Sequence, residues 1–195
     1  MKQKIILATT SKYRITVFAY LGIPFVTESS NVEEYGLPRK NPKTLVSQLS
    51  SMKAEAVYAK HKKENSIIIG LDSIGYMKGK ILEKPQSKAE AINRLSNISG
   101  KSHKTFTGIC MINAKTGKKI QKVIETDSTF RKLSKKEILR YINENDNVFN
   151  ICLGYDPGIG LSASFVETMT GSYHNLINGM PIEAIPDMLK KVGYR

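Results

Sequence analysis

Ile67-Ile68-Ile69-Gly70-Leu71-Asp72 is a short apolar run that ends on a carboxylate. A continuous β-branched run of this length reads as a strand buried on both faces, the kind found in α/β sheets. Working outward, Ile5 to Ala8 is a second buried strand. Thr9-Thr10-Ser11 leads from it into a helical pattern of Ile15, Phe18 and Ala19, which Gly22 closes. Pro24 to Thr27 reads as a further strand. Asn41-Pro42 places a capping side chain before a first-turn proline, and the helix it opens runs through Leu45, Leu49, Met52, Ala56 and Ala59. Tyr76 to Lys80 looks like a hairpin turn, and Thr105–Ile112 and Ile120–Phe130 are strands joined at the Lys115–Lys118 turn. Ser87 with Glu90 and Ser134 with Glu137 form capping boxes, and Pro181 opens the last helix. No linker, repeat or low-complexity tract divides the chain. Hairpins interrupt the crossovers, so the expectation is one α/β domain over residues 1–195 with a mixed sheet and flanking helices.

Composition narrows the classes. The chain has 195 residues, 41% hydrophobic and 24% charged, which supplies a core and excludes a disordered chain. No run approaches the ~18 apolar residues of a membrane span, and the opening MKQKIILATTSKYR lacks the apolar length of a signal peptide. A cytoplasmic protein is expected. Cys110 and Cys152 are too few for a disulfide framework or a four-cysteine zinc site and read as reduced thiols. The Asn97-Ile98-Ser99 sequon carries little weight without a secretion signal. Lys plus Arg number 30 against 17 Asp plus Glu, a net +13. Residues 151–195 contain three basic and four acidic residues, so the positive field belongs to the first 150. Such a field favours polyanions or phosphorylated small molecules. No Arg-rich run or aromatic-interleaved basic motif supports nucleic acid as the partner.

Two places can carry chemistry. Leu7-Ala8-Thr9-Thr10-Ser11-Lys12-Tyr13-Arg14 is a strand turning straight into a helix, with free backbone N–H groups, hydroxyls and two cations at the turn. Helix N-termini attract anions through those donors. The glycines of a P-loop or dinucleotide fingerprint are missing. Asp72, at the end of an apolar strand, can hold a divalent metal or take a proton from water. Glu33-Glu34 follows a strand in the same way. Lys53, in a helix of small and apolar residues, and Lys84 are the point charges best placed to meet phosphate. His61, His103 and His174 form no metal spacing.

Taken in order, these segments resemble the Maf family, the septum-formation-inhibitor proteins that act as nucleoside triphosphate pyrophosphatases. LATTSKYR is similar to the family's LASxSPRR loop, and Val32-Glu33-Glu34 lies where the family has its acidic pair. LSSMKA, which carries Lys53, is similar to LAxxKA; IIIGLDS, which carries Asp72, is similar to IGADT. GKILEKP, which carries Lys84, resembles GxILGKP, and ISGKSHKTFTG resembles LSGxxHxVxTG. GSYHN and Gly179-Met180-Pro181 match the family's closing motifs. The resemblance covers nearly the whole chain. It implies a two-lobed mixed α/β fold with a twisted sheet and a deep cleft, usually in a homodimer. It also implies hydrolysis of a nucleoside triphosphate to monophosphate and pyrophosphate with Mg²⁺ or Mn²⁺. By the same resemblance Asp72, Lys53 and Lys84 are catalytic, and Glu33, Glu34 and Asp72 hold the metal. Ser11, Arg14, Thr10, Lys12 and Ser73 bind substrate.

The chain departs from the family at named positions. Tyr13 replaces the first of two arginines, Ser73 a threonine and Glu83 a glycine. Residues 149–158 read FNICLGYDPG against DKAGxYGIQG, so Asn150 stands for lysine and Pro157 for glutamine; Asp156 adds a carboxylate. Asn178 resembles an insertion before Gly179. GSYHN leans toward the branch acting on dTTP and UTP rather than 7-methyl-GTP. Three readings follow: an active pyrophosphatase, a weak or inactive nucleotide-binding relative, and a basic nucleic-acid-binding protein.

Overall fold

The computed structural model describes residues 3–158 and 160–195. Its strands are β1 (Lys4–Leu7), β2 (Phe25–Thr27), β3 (Ser66–Met77), β4 (Lys80–Leu82), β5 (Ser102–Asn113), β6 (Lys119–Phe130) and β7 (Val166–Thr170). Its helices are α1 (Lys12–Ala19), α2 (Pro42–Tyr58), α3 (Lys88–Ile98), α4 (Lys135–Glu144), α5 (Tyr173–Asn178) and α6 (Ile185–Val192). The strands form one sheet in the order β2-β1-β3-β5-β6-β7, with β4 paired to β3. β1 lies parallel to β2 and β3, and the other pairs are antiparallel, so the sheet is mixed as expected.

The decisive strand is longer than the sequence suggests. β3 runs 12 residues, so Asp72 sits in its middle rather than at its end. The cause is unequal pairing on its two sides. β1 stops at Leu7, opposite Ile69, whereas β5 keeps pairing with β3 from Ile67 to Tyr76. From Gly70 to Ile74 the β1 side of β3 has no paired strand, because the chain peels away at Ala8, whose N–H still donates to Ile69 O at 2.8 Å, and β4 takes up that side only from Gly75. Asp72 lies in this stretch, on a strand that stays hydrogen-bonded on its other side, opposite Gly108, and its side chain meets Lys53 of α2.

α2 lies unusually close to β3 and β5. A Cβ on Gly70 would stand 2.3 Å from Ser50 O, and one on Gly108 would stand 2.1 Å from Val46 O. Glycine at both positions lets the helix backbone touch the sheet. Asn41 caps α2 by accepting from the Lys43 and Thr44 N–H groups, as its sequence predicts. The hairpin between β3 and β4 turns on Lys78 and Gly79, both at positive φ, the pattern of a two-residue primed turn. Ser134 and Glu137 form the full capping box. At α3 only half forms: Ser87 accepts from Glu90 N–H, but Glu90 reaches past it to the Gln86 N–H. Pro181 opens a short 3-10 turn, and Pro186 opens α6 itself.

Among the described residues, apolar packing gathers into four buried clusters, two of them large. One core gathers Ile5, Leu7, Phe18, Ile69 and Leu71 with Met188 and Leu189 of α6. The second large core gathers Leu95, Phe130, Tyr141, Leu153, Tyr155 and Phe165 from α3, the end of β6, α4 and the chain after it, and two smaller clusters pack α2 through Ala54 and Val57 and through Leu45, Val46 and Leu49. No described helix is long and apolar enough to cross a membrane.

Candidate active site

A cleft of about 570 Å³ opens at the step in the sheet. Residues 8–14, Ser29 to Val32, Glu34, Lys53, Lys84 and Asn150 line it. The turn from β1 into α1 forms one wall. Ser11 occupies the N-cap position of α1 but makes no side-chain capping bond. Its hydroxyl and the first-turn N–H groups that it leaves uncapped are donors for an anion. Thr10 and Lys12 are exposed on the same wall. Lys84 also lines the cleft and is exposed. Among the described residues neither Lys12 nor Lys84 has a carboxylate partner.

Below this wall the charges are paired. Lys53 Nζ stands 2.6 Å from Asp72 Oδ1 and 2.7 Å from Glu34 Oε1. Asp72 is buried and does not itself line the cleft; Lys53 and Glu34 do. Burial raises the Asp72 pKa, and the nearby Lys53 ammonium and Arg14 guanidinium oppose that rise. A buried carboxylate with a raised pKa is equipped to accept a proton.

Arg14 lines the cleft and is also tied into the fold. Its Nε donates to Gly179 O at 3.1 Å, one terminal nitrogen to Leu71 O at 3.0 Å and the other to Ser73 Oγ at 2.9 Å. Three of its five donors therefore tie α1 to β3 and to the turn after α5. Ser73 belongs to the same knot, sharing a 2.7 Å hydrogen bond with Thr107 Oγ1, and it does not line the cleft. Gly179 completes it at φ 56, where a Cβ would stand 2.5 Å from Ser73 Oγ. Glu33 is exposed and outside the cleft lining. No group of three or more His, Cys, Asp or Glu side chains converges as a metal site among the described residues.

Two of the departures from the family pattern reach the same cleft. Tyr13 and Asn150 both line it. Burial raises the Tyr13 phenol pKa, with Asp156 adding to the rise. Asp156 is buried and accepts from Gly158 N–H at 2.9 Å. The segment carrying these residues is held from below: Tyr155 shares a 2.6 Å hydrogen bond with His103 Nε2, and Asp156 N–H donates to the Tyr141 hydroxyl at 3.0 Å. Reading the sequence missed Ser29 to Val32 as cleft residues. The available signal was their place directly after β2, since ligands gather beyond the carboxyl ends of parallel strands.

The family described as Maf-like protein matches residues 4–192. A dTTP/UTP pyrophosphatase of Thermoanaerobacter sp. (strain X514) is 36% identical over 193 residues, covering 96% of this chain and 96% of the relative. A 7-methyl-GTP pyrophosphatase of Pseudoalteromonas atlantica is 35% identical over 189 residues, covering 96% and 94%. The structure of a HAM1 protein from Coxiella burnetii superposes with a TM-score of 0.49 at 11% identity, over 97% of this chain and 99% of that one.

Proposed function

Because this chain belongs to the Maf-like protein family, we propose that its cleft hydrolyses a nucleoside triphosphate to the monophosphate and pyrophosphate. The observation that carries this reading is the pairing of Lys53 with both Asp72 and Glu34, at 2.6 and 2.7 Å, beside a wall of unpaired anion donors. The water oxygen bonds to the α-phosphorus, the bond from that phosphorus to the bridging oxygen breaks, and pyrophosphate leaves. The Asp72 carboxylate takes the proton that the water gives up. The Ser11 hydroxyl, the first-turn N–H groups of α1, Lys12 and Lys84 hold the phosphate chain. Thr10 borders the same wall. Arg14 and Ser73 serve as positioning residues that fix the turn against β3.

The donor set suits Mg²⁺ or Mn²⁺. Asp72 and Glu34 offer hard carboxylate oxygens that already converge on one cation, and such metals are commonly held by one or two carboxylates plus substrate phosphate. A bound dication would neutralise charge on the bridging and leaving oxygens. Glu33, outside the cleft lining, is left out of this set.

The finer substrate choice rests on relatives that act on dTTP/UTP and on 7-methyl-GTP. The GSYHN motif (residues 171–175) favours the pyrimidine side. A cytoplasmic homodimer is the setting proposed. The test is pyrophosphate release from a panel of triphosphates with Mg²⁺ or Mn²⁺, for the wild type and Asp72→Asn. Metal-dependent release equimolar with monophosphate, reduced at least about a hundredfold in Asp72→Asn, is expected. Binding without turnover would replace this reading with that of a nucleotide-binding relative, for which the neutral Tyr13 and Asn150 side chains in the cleft speak. Steep salt-dependent binding to DNA or RNA without turnover would favour the nucleic-acid reading.

A further inference from the structure

We propose that Lys53 is an exchangeable counter-cation: its ammonium holds the Asp72–Glu34 pair in the metal-free protein, and a divalent cation entering that pair displaces it toward the phosphate chain in the cleft. The inference rests on the proposed reading of the cleft and concerns the order of events within it.

Three observations support it. First, the two carboxylates converge on a single position, and Lys53 Nζ occupies it at 2.6 and 2.7 Å. An N⁺–H···O⁻ contact and an Mg²⁺–carboxylate contact differ by about 0.6–0.9 Å, so the same oxygens serve either cation with a modest contraction. Two carboxylates and an ammonium carry a net negative charge; with a dication in its place they carry none. The exchange therefore leaves the buried pair neutral and frees a positive charge for the substrate.

Second, the access is graded in the right direction. The Glu34 side chain is 46% exposed, Lys53 14% and Asp72 9%. An incoming cation meets Glu34 first. Lys53 borders the cleft while Asp72 does not, so the ammonium covers the group that must reach metal and water. Third, only the side chain is free to respond. α2 is pressed against Gly70 and Gly108 at backbone contact, which fixes the Lys53 Cα. The flexible four-carbon stem supplies the motion. Lys12 and Lys84, both lining the cleft, have no carboxylate partner among the described residues, and a released Lys53 joins them.

The test reads metal binding without nucleotide. Free Mn²⁺ is counted by electron paramagnetic resonance while it is titrated into wild type, Lys53→Met, Glu34→Gln and Asp72→Asn. Lys53→Met is expected to bind Mn²⁺ at least about tenfold more tightly than wild type, having lost the competing cation. Glu34→Gln and Asp72→Asn are expected to bind it at least about tenfold more weakly. Equal or weaker binding by Lys53→Met overturns the proposal, as does undiminished binding by both carboxylate variants. A second measurement uses the unaltered protein. With lysine labelled by ¹³C at Cε, saturating Mg²⁺ is expected to move the resonance absent from Lys53→Met spectra, and an unmoved resonance overturns the exchange. These readouts are separate from turnover. A protein that hydrolyses no triphosphate can still show the exchange, and one that hydrolyses them without it loses this inference alone.

Discussion

Gly108→Ala strikes the contact on which the site's precision depends. An alanine Cβ there would stand 2.1 Å from Val46 O and 2.5 Å from Val46 C, both backbone atoms that no rotamer change can move. To restore ordinary contact near 3.4 Å, α2 must retreat from the sheet by about 1.3 Å. That retreat opens the layer where Leu45, Val46, Leu49, Ala54 and Val57 are buried. Overpacking of this kind costs about 1–3 kcal/mol, which lowers Tm by roughly 2–4 °C per kcal/mol in a chain of this size. The same movement pulls Lys53 away from Asp72, now 2.6 Å distant. A misplacement of about 1 Å at a reacting site can cost up to a hundredfold in rate. Urea unfolding with a structural probe, alongside pyrophosphate release, measures both. The expected result is a loss of about 2 kcal/mol with kcat/KM down at least about tenfold. Stability within about 0.5 kcal/mol of wild type would refute the argument that α2 is held at backbone contact.

Two further outcomes follow from buried groups. Burial lowers the His103 pKa from 6.5 to about 4. The unfolded chain therefore binds a proton that the folded one refuses: stability is full above pH 6.5, falls as pH drops toward 4 and is level below, a loss of roughly 3 kcal/mol from this group. Urea titrations between pH 7 and 4 measure the slope, and His103→Gln should flatten it; an unchanged slope would discard the assignment. His61, bridging Glu28 and Glu64, has a raised pKa and acts oppositely, stabilising at low pH and losing that contribution as pH rises through its folded value. For Arg14→Lys, the loss of the bonds to Leu71 O, Ser73 Oγ and Gly179 O should reduce stability by about 2 kcal/mol. A raised KM with unaltered urea stability would instead return Arg14 to the phosphates.

The local elements were legible because their signals are local. Asn41-Pro42 announces α2, and Ser134 with Glu137 announces α4, through contacts within one turn. Asp72 was read as the end of its apolar strand and stands in the middle of it. Nothing in Ile67–Asp72 says that β1 stops four residues in while β5 continues, and that mismatch, not the end of β3, makes the opening. Arg14 was chosen as a cation beside a helix N-terminus. Its partners are the carbonyls of Leu71 and Gly179, distant in sequence, and their direction is a property of the assembled backbone. Ser29 to Val32 carry no charge signal, so only the topology could have put them in the cleft.

The charge arithmetic of the cleft ties these findings together. The sequence offers Lys12, Arg14, Lys53 and Lys84 as cations for a triphosphate. Arg14, lining the cleft, gives three donors to Leu71 O, Ser73 Oγ and Gly179 O, and Lys53 is paired with two carboxylates, so among the described residues Lys12 and Lys84 alone of the four lack such partners. Tyr13 and Asn150, neutral at cleft positions where the resembled family has arginine and lysine, do not make up the difference. Phosphate attraction in the resting cleft is therefore weaker than the net +13 suggests. A dication that takes over Asp72 and Glu34 changes this twice, by adding its own charge and by releasing Lys53. Metal and nucleotide should each raise the other's affinity through that one ammonium, a coupling that thermodynamic linkage makes reciprocal.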